Sequence, residues 1–258
     1  MKLTRRNYFS PTNKYLSNSK LGDWLKDKHY FYRKNWIGDV EREITDPLIL
    51  GSAVDTWIMD GEQKFRNKYM LVSRRSKASP DYEFQLNATM WDTVERMVKN
   101  VTSQEAYKKL RGFKSQTVLQ VDEPVGIFPG ICGIPDWFKV YEAKGDEPKK
   151  AVIVDLKTTE DATPNKYFHK CQDYGYFRQM AFYYLLIAKN FEVEFSNFTF
   201  RHLTVEKDKL NINNVYTFEM EHRRVKEAYE ELINIFADIA KEKKFAPHNA
   251  SWDNVIKL

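Results

Sequence analysis

The stretch ICGIPDWFKVYEAKGDEPKKAVIVDLK, residues 131–157, decides the fold. It contains two apolar, β-rich runs, IPDWFKVY and AVIVDLK, which flank a polar turn that includes Gly145 and Pro148. Apolar runs of this length on either side of such a turn predict two neighbouring strands of one sheet. The rest of the chain is expected to build around this pair of strands.

Each predicted strand carries an acid in apolar surroundings. Asp136 opens the first strand, and Asp155 interrupts a run of β-branched residues in the second. An unpaired carboxylate is costly to bury, so a compensating partner is expected. Asp155 and Lys157 are two positions apart on a strand and therefore project from the same face. Two carboxylates on adjacent strands suit Mg²⁺ or Mn²⁺, and a nearby lysine can orient or deprotonate a metal-bound water.

These residues resemble a known family. Pro135-Asp136, a gap of 18 residues and Asp155-x-Lys157 are similar to the signature of PD-(D/E)XK nucleases. GSAVDTWIMDG (51–61) resembles their upstream G-x-x-x-H helix, and YGYFRQMAFYYLL (174–186) resembles the Q-x-x-x-Y helix that follows the strands. Over residues 48–186, the matches are similar to the RecE-type (exonuclease VIII) branch of phage recombination exonucleases.

The resemblance implies a divalent metal site, with Mg²⁺ as cofactor and Mn²⁺ as a substitute. It implies roles in catalysis for four residues: Asp136, Asp155, Lys157 and Gln179. The implied metal ligands are the carboxylates of Asp136 and Asp155 and the backbone carbonyl of Leu156. The family commonly has a histidine four residues after the helix glycine, whereas this chain has Asp55. A carboxylate also suits Mg²⁺, so Asp55 is either a third ligand or an ordinary helix-surface acid.

Candidate DNA contacts lie on the last of these helices and in a basic segment. Tyr176, Gln179 and Tyr183 share one helical face, which the resemblance places against the active site. Tyr176, Tyr183 and the neighbouring Arg178 are therefore candidate DNA contacts. The alternative is that both tyrosines are core aromatics with satisfied hydroxyls. In a predicted loop over residues 62–80, Arg74 and Arg75 are either further DNA contacts or solvated charges.

The composition sets outer limits on the kind of protein. A chain of 258 residues with 42% hydrophobic and 30% charged residues predicts a single domain over 1–258. Its parts are an N-terminal elaboration (1–47), a nuclease core (48–244) and a C-terminal tail (245–258). A net charge of +5 permits a phosphate-rich partner without requiring one. With no long apolar run and no signal-peptide pattern, we expect a cytoplasmic protein without a membrane partner.

Other chemistries find little support in the sequence. Two cysteines, Cys132 and Cys171, are too few for a Cys₄ zinc or iron–sulfur site. The five histidines are scattered without zinc spacing. The phosphate loop, the dinucleotide-binding glycines, the zinc-protease H-E-x-x-H and the G-x-S-x-G elbow are all missing from the sequence.

Aromatic and basic residues are interleaved through residues 1–47. This pattern suits stacking on bases and pairing with phosphates. The simpler interpretation, which we favour, is a helix over about 20–35 whose aromatic side chains pack on the core. Further along, the apolar spacing predicts a helix over 81–111, a strand over 116–128, strands over 193–205 and 214–220, and a final amphipathic helix over 221–244.

The predicted fold class is α/β, a restriction-endonuclease-like core with a mixed central sheet flanked by helices. The function implied by the resemblance is 5′→3′ exonuclease action on double-stranded DNA ends, which leaves 3′ single-stranded tails for an annealing protein. The resemblance also implies a ring-shaped homo-oligomer. Two alternatives stay open: an endonuclease that uses the same residues, and a non-catalytic DNA-binding or assembly protein on the same fold.

Overall fold

The computed structural model describes residues 2–40, 44–72, 81–207 and 214–242. The helices in these ranges are α1 (Arg5–Tyr8), α2 (Asn18–Lys26), α3 (Lys28–Tyr32), α4 (Asp46–Asp60), α5 (Glu62–Lys68), α6 (Ala88–Ser103), α7 (Glu105–Lys108), α8 (Pro164–Asp173), α9 (Tyr176–Phe191) and α10 (His222–Lys241). The strands are β1 (Tyr69–Val72), β2 (Phe84–Asn87), β3 (Lys114–Ser115), β4 (Leu119–Val121), β5 (Ile131–Gly133), β6 (Trp137–Tyr141), β7 (Lys150–Thr159), β8 (Phe198–Glu206) and β9 (Val215–Glu219). A π-helical turn, Arg33–Ile37, follows α3, and a 3₁₀ turn, Phe195–Asn197, precedes β8.

A five-stranded mixed sheet with the order β3-β6-β7-β8-β9 lies at the centre. Strands β6 and β7 are antiparallel neighbours with Trp137 opposite Val154, as the sequence predicts. Strands β7 and β8 run parallel over nine residue pairs. Such a pair needs a long crossover connection, and α8 and α9 lie within it. The predicted architecture, a mixed sheet with helices around it, is confirmed.

The two faces of the sheet pack against different helices. On β7, Ala151 and Ile153 belong to a core that includes residues of α9 and α10. Val154 and Leu156 belong to a second core, which includes residues of α4 and α6. Because side chains alternate along a strand, Asp155 and Lys157 continue the row of Ile153 and face α9.

The N-terminal aromatics pack into the core, as the favoured interpretation predicts. Trp24 and Phe31 are buried in the same cluster as the α9 side chains. The predicted helix over 20–35 is interrupted at Asp27, whose extended backbone ends α2. The Asp27 side chain accepts from the Tyr30 backbone N–H and so caps α3.

Three predicted elements need correction. Residues 62–72 form α5 and β1 instead of a loop, because Phe65 and Tyr69 are fully buried and stack at 5.2 Å. The predicted helix over 81–111 starts only at Ala88, since the Asn87 side chain accepts from the Met90 N–H at 2.9 Å and caps α6. The strand expected over 116–128 is reduced to β4. Arg74 and Arg75 lie outside the described residues.

Two further segments bear on the site. Helix α4 ends at Gly61, with a backbone φ of +91° that favours glycine. Its buried apolar residues include Leu50 and Val54, whereas Ile49 and Trp57 are half-buried. Residues 164–173 form α8, with Pro164 in its first turn. In the part of the chain that the structure describes, no helix combines the length and the apolar character needed to cross a membrane.

Candidate active site

Asp136 and Asp155 come together where β6 begins and β7 approaches its end. Since Trp137 pairs with Val154, the preceding Asp136 falls beside Asp155 on the neighbouring strand. Asp136 Oδ2 accepts the Leu156 backbone N–H at 2.8 Å. Its other oxygen accepts from Gln116 Nε2 at 3.3 Å. The Asp136 carboxyl is therefore fixed from both sides.

Lys157 and Gln179 complete a hydrogen-bonded cluster with Asp155. The Lys157 ammonium lies 2.6 Å from Asp155 Oδ2 and donates to Gln179 Oε1 at 2.7 Å. The Gln179 amide nitrogen donates to Asp155 Oδ1 at 3.2 Å. The structure thus brings together all four residues that the sequence predicts for catalysis.

Tyr176 and Tyr183 lie on either side of this cluster, on the same helical face as Gln179, as predicted. The Lys157 ammonium sits 4.4 Å from the centre of the Tyr176 ring. Tyr183 is buried, and its hydroxyl accepts from Gln179 at 3.1 Å and donates to the Ile134 carbonyl at 3.2 Å. Tyr176 therefore borders the cleft while Tyr183 supports the cluster from inside. The DNA contacts proposed for them stay predictions.

Helix α4 brings Asp55 to the cluster because it can approach β7 closely. A Cβ added to Gly51 would lie 3.0 Å from Thr158 Oγ1, which is tighter than most real contacts. The missing side chain at Gly51 therefore allows this approach. Asp55 follows one helical turn later and is half-buried.

Electrostatics couple the three carboxylates. Burial raises the pKa of Asp55 to about 6, and the charges of Asp155 and Asp60 act in the same direction. Burial also raises the pKa of Asp136 well above its usual value, again with contributions from Asp155 and Asp55. Burial opposes the charge of Lys157, but the Asp155 carboxylate outweighs it and the pKa of Lys157 is raised. Asp55 and Asp136 therefore hold their protons more tightly than ordinary aspartates, and the cluster contains one firmly protonated ammonium.

The donor atoms suit a divalent cation. Asp155 Oδ2 is buried and receives no hydrogen bond of proper geometry, although Lys157 lies at ion-pair distance. A buried carboxylate oxygen in this state, beside two further carboxyls, fits a hard cation. Within the described ranges, no three His, Cys, Asp or Glu side chains are already arranged as a metal site. The role of Asp55 as a third ligand therefore stays a prediction.

An open cleft of about 660 Å³ reaches the cluster at Lys157. Asp55 and Gly51 line it from α4, and Lys157 lines it from β7. Toward the outside it is bordered by three residues that the sequence analysis did not single out, Lys170, Tyr174 and Lys207.

Two other residues differ from the sequence-based expectation, Arg178 in its location and Gln116 in its contact with Asp136. Arg178, a predicted phosphate contact, is not among the residues that line the cleft, and its Nε donates to Asn18 Oδ1 at 3.4 Å. Gln116, which sequence reasoning missed, contacts Asp136 from a backbone with φ of +47°. Left-handed backbone is uncommon outside glycine and is enriched at functional sites. Nothing in the local sequence signals it.

A comparison of the sequence with known families identifies the family over almost the whole chain. Residues 17–251 match a family described as a PDDEXK-like domain of unknown function, DUF3799. This chain belongs to that family. In this PDDEXK-like chain, the motif residues Asp136, Asp155 and Lys157 are those gathered at the end of β7. Members of this superfamily generally use divalent metal ions, which agrees with the donor atoms found here.

A solved structure agrees on the fold. A crystal structure of a candidate exonuclease from Eubacterium rectale matches with a TM-score of 0.65 at 15% sequence identity, over 95% of this chain and 88% of that one. A second structure, SSO0001, gives a TM-score of 0.27 at 11% identity, over 57% of this chain and 63% of that one, and carries no argument. No curated protein sequence matches. The match to the PDDEXK-like family supports a nuclease, and the first structure, at 15% identity, supports the fold alone.

Proposed function

We propose that the protein is a Mg²⁺-dependent exonuclease that degrades linear double-stranded DNA from 5′ to 3′ and leaves 3′ single-stranded tails. The observation that carries the proposal is the joining of Asp136, Asp155, Lys157 and Gln179 in one cluster that opens onto a cleft. A purely structural ion pair would not need a second buried carboxyl beside it.

The side chains of the cluster have two roles, metal binding and positioning of the attacking water. Asp136, Asp155 and the Leu156 carbonyl would hold the divalent ion, and Asp55 would join them. When bound, Mg²⁺ supplies Lewis-acid stabilisation of the phosphate and lowers the pKa of a water. In the metal-free protein the pKa of Lys157 is raised, chiefly by the Asp155 carboxylate, so its ammonium is charged there. This ammonium would position the attacking water and stabilise charge that develops on the phosphate.

Gln179 and Tyr176 hold that ammonium in place. The Gln179 side-chain carbonyl accepts a hydrogen bond from the Lys157 ammonium, and the Tyr176 ring packs against the same ammonium. A lysine side chain has several free rotations, so these two contacts reduce its freedom before substrate arrives. The cluster is accordingly preorganised for hydrolysis of a phosphodiester.

The resemblance to RecE-type exonucleases supports two further parts of the proposal, the direction of digestion and the partners. A 3′ single-stranded tail would be passed to an annealing protein. A ring of identical subunits around the duplex would keep the enzyme on its substrate.

A time course on end-labelled linear duplex, run beside covalently closed circular DNA in Mg²⁺, tests the proposed function. The proposal predicts early release of a 5′ label as mononucleotides, late release of a 3′ label, and an intact circle. Cleavage of the circle would establish an endonuclease instead. Binding without hydrolysis of any substrate, in Mg²⁺ or Mn²⁺, would indicate a non-catalytic protein.

A further inference from the structure

Two aromatic rings lead outward from the Lys157 ammonium to solvent. The Tyr176 ring lies against the ammonium, and the Tyr174 ring stacks on Tyr176 with centroids 5.8 Å apart and planes 24° apart. Tyr174 is 66% exposed, which is high for a tyrosine that lines a cleft. Its outer face is free to take another flat group.

The position of Tyr174 is fixed by a turn. Gly175 has φ of +64° and joins α8 to α9. A Cβ at this glycine would lie 2.8 Å from the Arg178 guanidinium, so the arginine packs directly on the turn. Arg178 is thereby held between Gly175 and Asn18. Tyr174 is consequently presented by a braced turn between two helices.

Two ammonium groups line the same cleft. Lys170 Nζ donates to Thr159 Oγ1 at 2.6 Å, which orients it along the end of β7. Lys207, whose side chain is 17% exposed, has its Nζ 3.6 Å from Oε1 of Glu160, a 76% exposed side chain that lines the same cleft. An exposed partner at this distance neutralises little charge. Lys170 and Lys207 therefore present positive charge beside the stacked rings.

A flat apolar surface next to fixed cations matches the chemistry of a nucleotide. Aromatic rings stack on bases of any sequence, and lysines pair with backbone phosphates. We propose that Tyr174, Lys170 and Lys207 form a subsite for one unpaired nucleotide of the strand that lies next to the cleaved phosphate. Tyr174 stacks on the base, and the two lysines contact its phosphates.

This subsite deepens the proposed function and rests on it for the identity of the strand. A base inside the duplex is covered on both faces by neighbouring base pairs, so it can stack on Tyr174 only after it has left the stack, whereas a terminal base has one free face. Because the proposal places an unpaired nucleotide in this subsite, it predicts binding of an end whose terminal pair has opened. Because stacking does not distinguish bases, digestion should show little sequence preference.

Affinity for a short single-stranded oligonucleotide tests the subsite without hydrolysis. The variants are Tyr174→Ala, Tyr174→Phe and, as a matched control, Tyr141→Ala. Tyr141 is also exposed but pairs with Lys150 at the opposite end of β7. Fluorescence anisotropy is measured with Ca²⁺ in place of Mg²⁺. Tyr174→Ala should weaken binding about tenfold, while Tyr174→Phe and Tyr141→Ala should bind like wild type.

An abasic scan locates the nucleotide. Each oligonucleotide of the series lacks the base at one position, and the position changes along the series. Wild type should lose affinity when one particular base is missing, and Tyr174→Ala should be insensitive to the loss of that base. For the lysines, the slope of log affinity against log salt should fall by about 0.7 in Lys170→Ala or Lys207→Ala. Lys150→Ala, at the far end of the sheet, should keep the wild-type slope.

The outcomes separate this inference from the proposed function. If wild type hydrolyses duplex DNA but Tyr174→Ala binds the oligonucleotide and its abasic series like wild type, the subsite is wrong and the nuclease stands. If the Tyr174 dependence is found but wild type hydrolyses no DNA in Mg²⁺ or Mn²⁺, the subsite stands and the proposed function is wrong.

Discussion

Lys157 and Gln179 form a direct hydrogen bond, with 2.7 Å between Nζ and Oε1. This contact sets the orientation of the amide, so that its nitrogen faces Asp155 Oδ1 and the Tyr183 hydroxyl. One side chain of α9 thus links the cation and a carboxylate of the cluster. Gln179 is therefore a structural part of the cluster.

Replacing Gln179 should slow hydrolysis while leaving DNA affinity in Ca²⁺ nearly unchanged. Gln179→Ala removes the acceptor that orients Lys157, and loss of such a supporting contact typically lowers activity about 10- to 100-fold. Steady-state kinetics on linear duplex measure the effect. Tyr183→Phe keeps Gln179 in place and should have a smaller effect. Equal kcat in wild type and Gln179→Ala would show that the amide contributes nothing to the reaction.

Asp55 should determine the Mg²⁺ concentration that the enzyme needs for half-maximal rate. If it is a third ligand, Asp55→Ala needs much more Mg²⁺ for half-maximal rate, and the more tightly bound Mn²⁺ restores part of the activity. Asp55→His, which restores the residue type common in the family, should keep part of the activity. The measurement is a Mg²⁺ titration of wild type and variants at fixed pH. Superimposable titration curves for wild type and Asp55→Ala would remove Asp55 from the metal site.

The same carboxyl should make the metal-free protein less stable at high pH. The folded state holds the Asp55 proton up to about pH 6, against an ordinary pKa of 3.8. Because the folded state binds this proton more tightly than the unfolded chain, stability falls as pH rises between these values. In EDTA, Asp55→Asn should therefore raise Tm at pH 8 and leave it nearly unchanged at pH 4.

Asp60 provides a control with the opposite sign. Burial opposes its charge, but ion pairs with Arg5 and Lys64 outweigh burial and lower its pKa. Its charge therefore stabilises the fold at neutral pH, and this contribution is lost as pH falls. Asp60→Asn should lose about 1 kcal/mol at pH 8. A lower Tm for Asp55→Asn at pH 8 would contradict the electrostatic description of the cluster.

The close approach of Gly51 to Thr158 gives a coupled prediction. Gly51→Ala places a methyl group against Thr158 Oγ1, so α4 or the threonine must move by a few tenths of an ångström. Because Asp55 lies one turn further along α4, we expect the rate at limiting Mg²⁺ to fall by about three- to tenfold. The double variant Gly51→Ala, Thr158→Ala should have nearly the same rate as Thr158→Ala alone, because the methyl group then has no Oγ1 to contact. Additive effects of the two substitutions would rule out this contact as the cause.

Much of the cluster is predictable because strand and helix periodicity fix which side chains share a face. The two-residue spacing of Asp155 and Lys157 places them together on a strand, and the spacing of Tyr176, Gln179 and Tyr183 places them together on a helix. The turn between β6 and β7 then sets Asp136 beside Asp155. The packing of that helical face against β7 is a long-range contact, and the sequence indicates it only through the resemblance to PD-(D/E)XK nucleases.

The residues that were missed depend on tertiary contacts. Gln116 reaches Asp136 only through a left-handed backbone that its sequence does not favour. Lys170 and Lys207 meet at the cleft because β8 pairs in parallel with β7, which places the Lys207 N–H on the Thr159 carbonyl. Strand β1 forms through parallel pairing with β2, a contact that the sequence of residues 69–72 alone does not show.

The most direct test of the account is the initial rate of nucleotide release from linear duplex DNA in Mg²⁺ by wild type, Asp155→Asn and Lys157→Ala. Thermal melting first verifies that all three proteins are folded. We predict that each substitution lowers the rate by several orders of magnitude, while Lys157→Ala still binds DNA in Ca²⁺. Near-normal hydrolysis by either folded variant would contradict the assignment of this cluster as the active site.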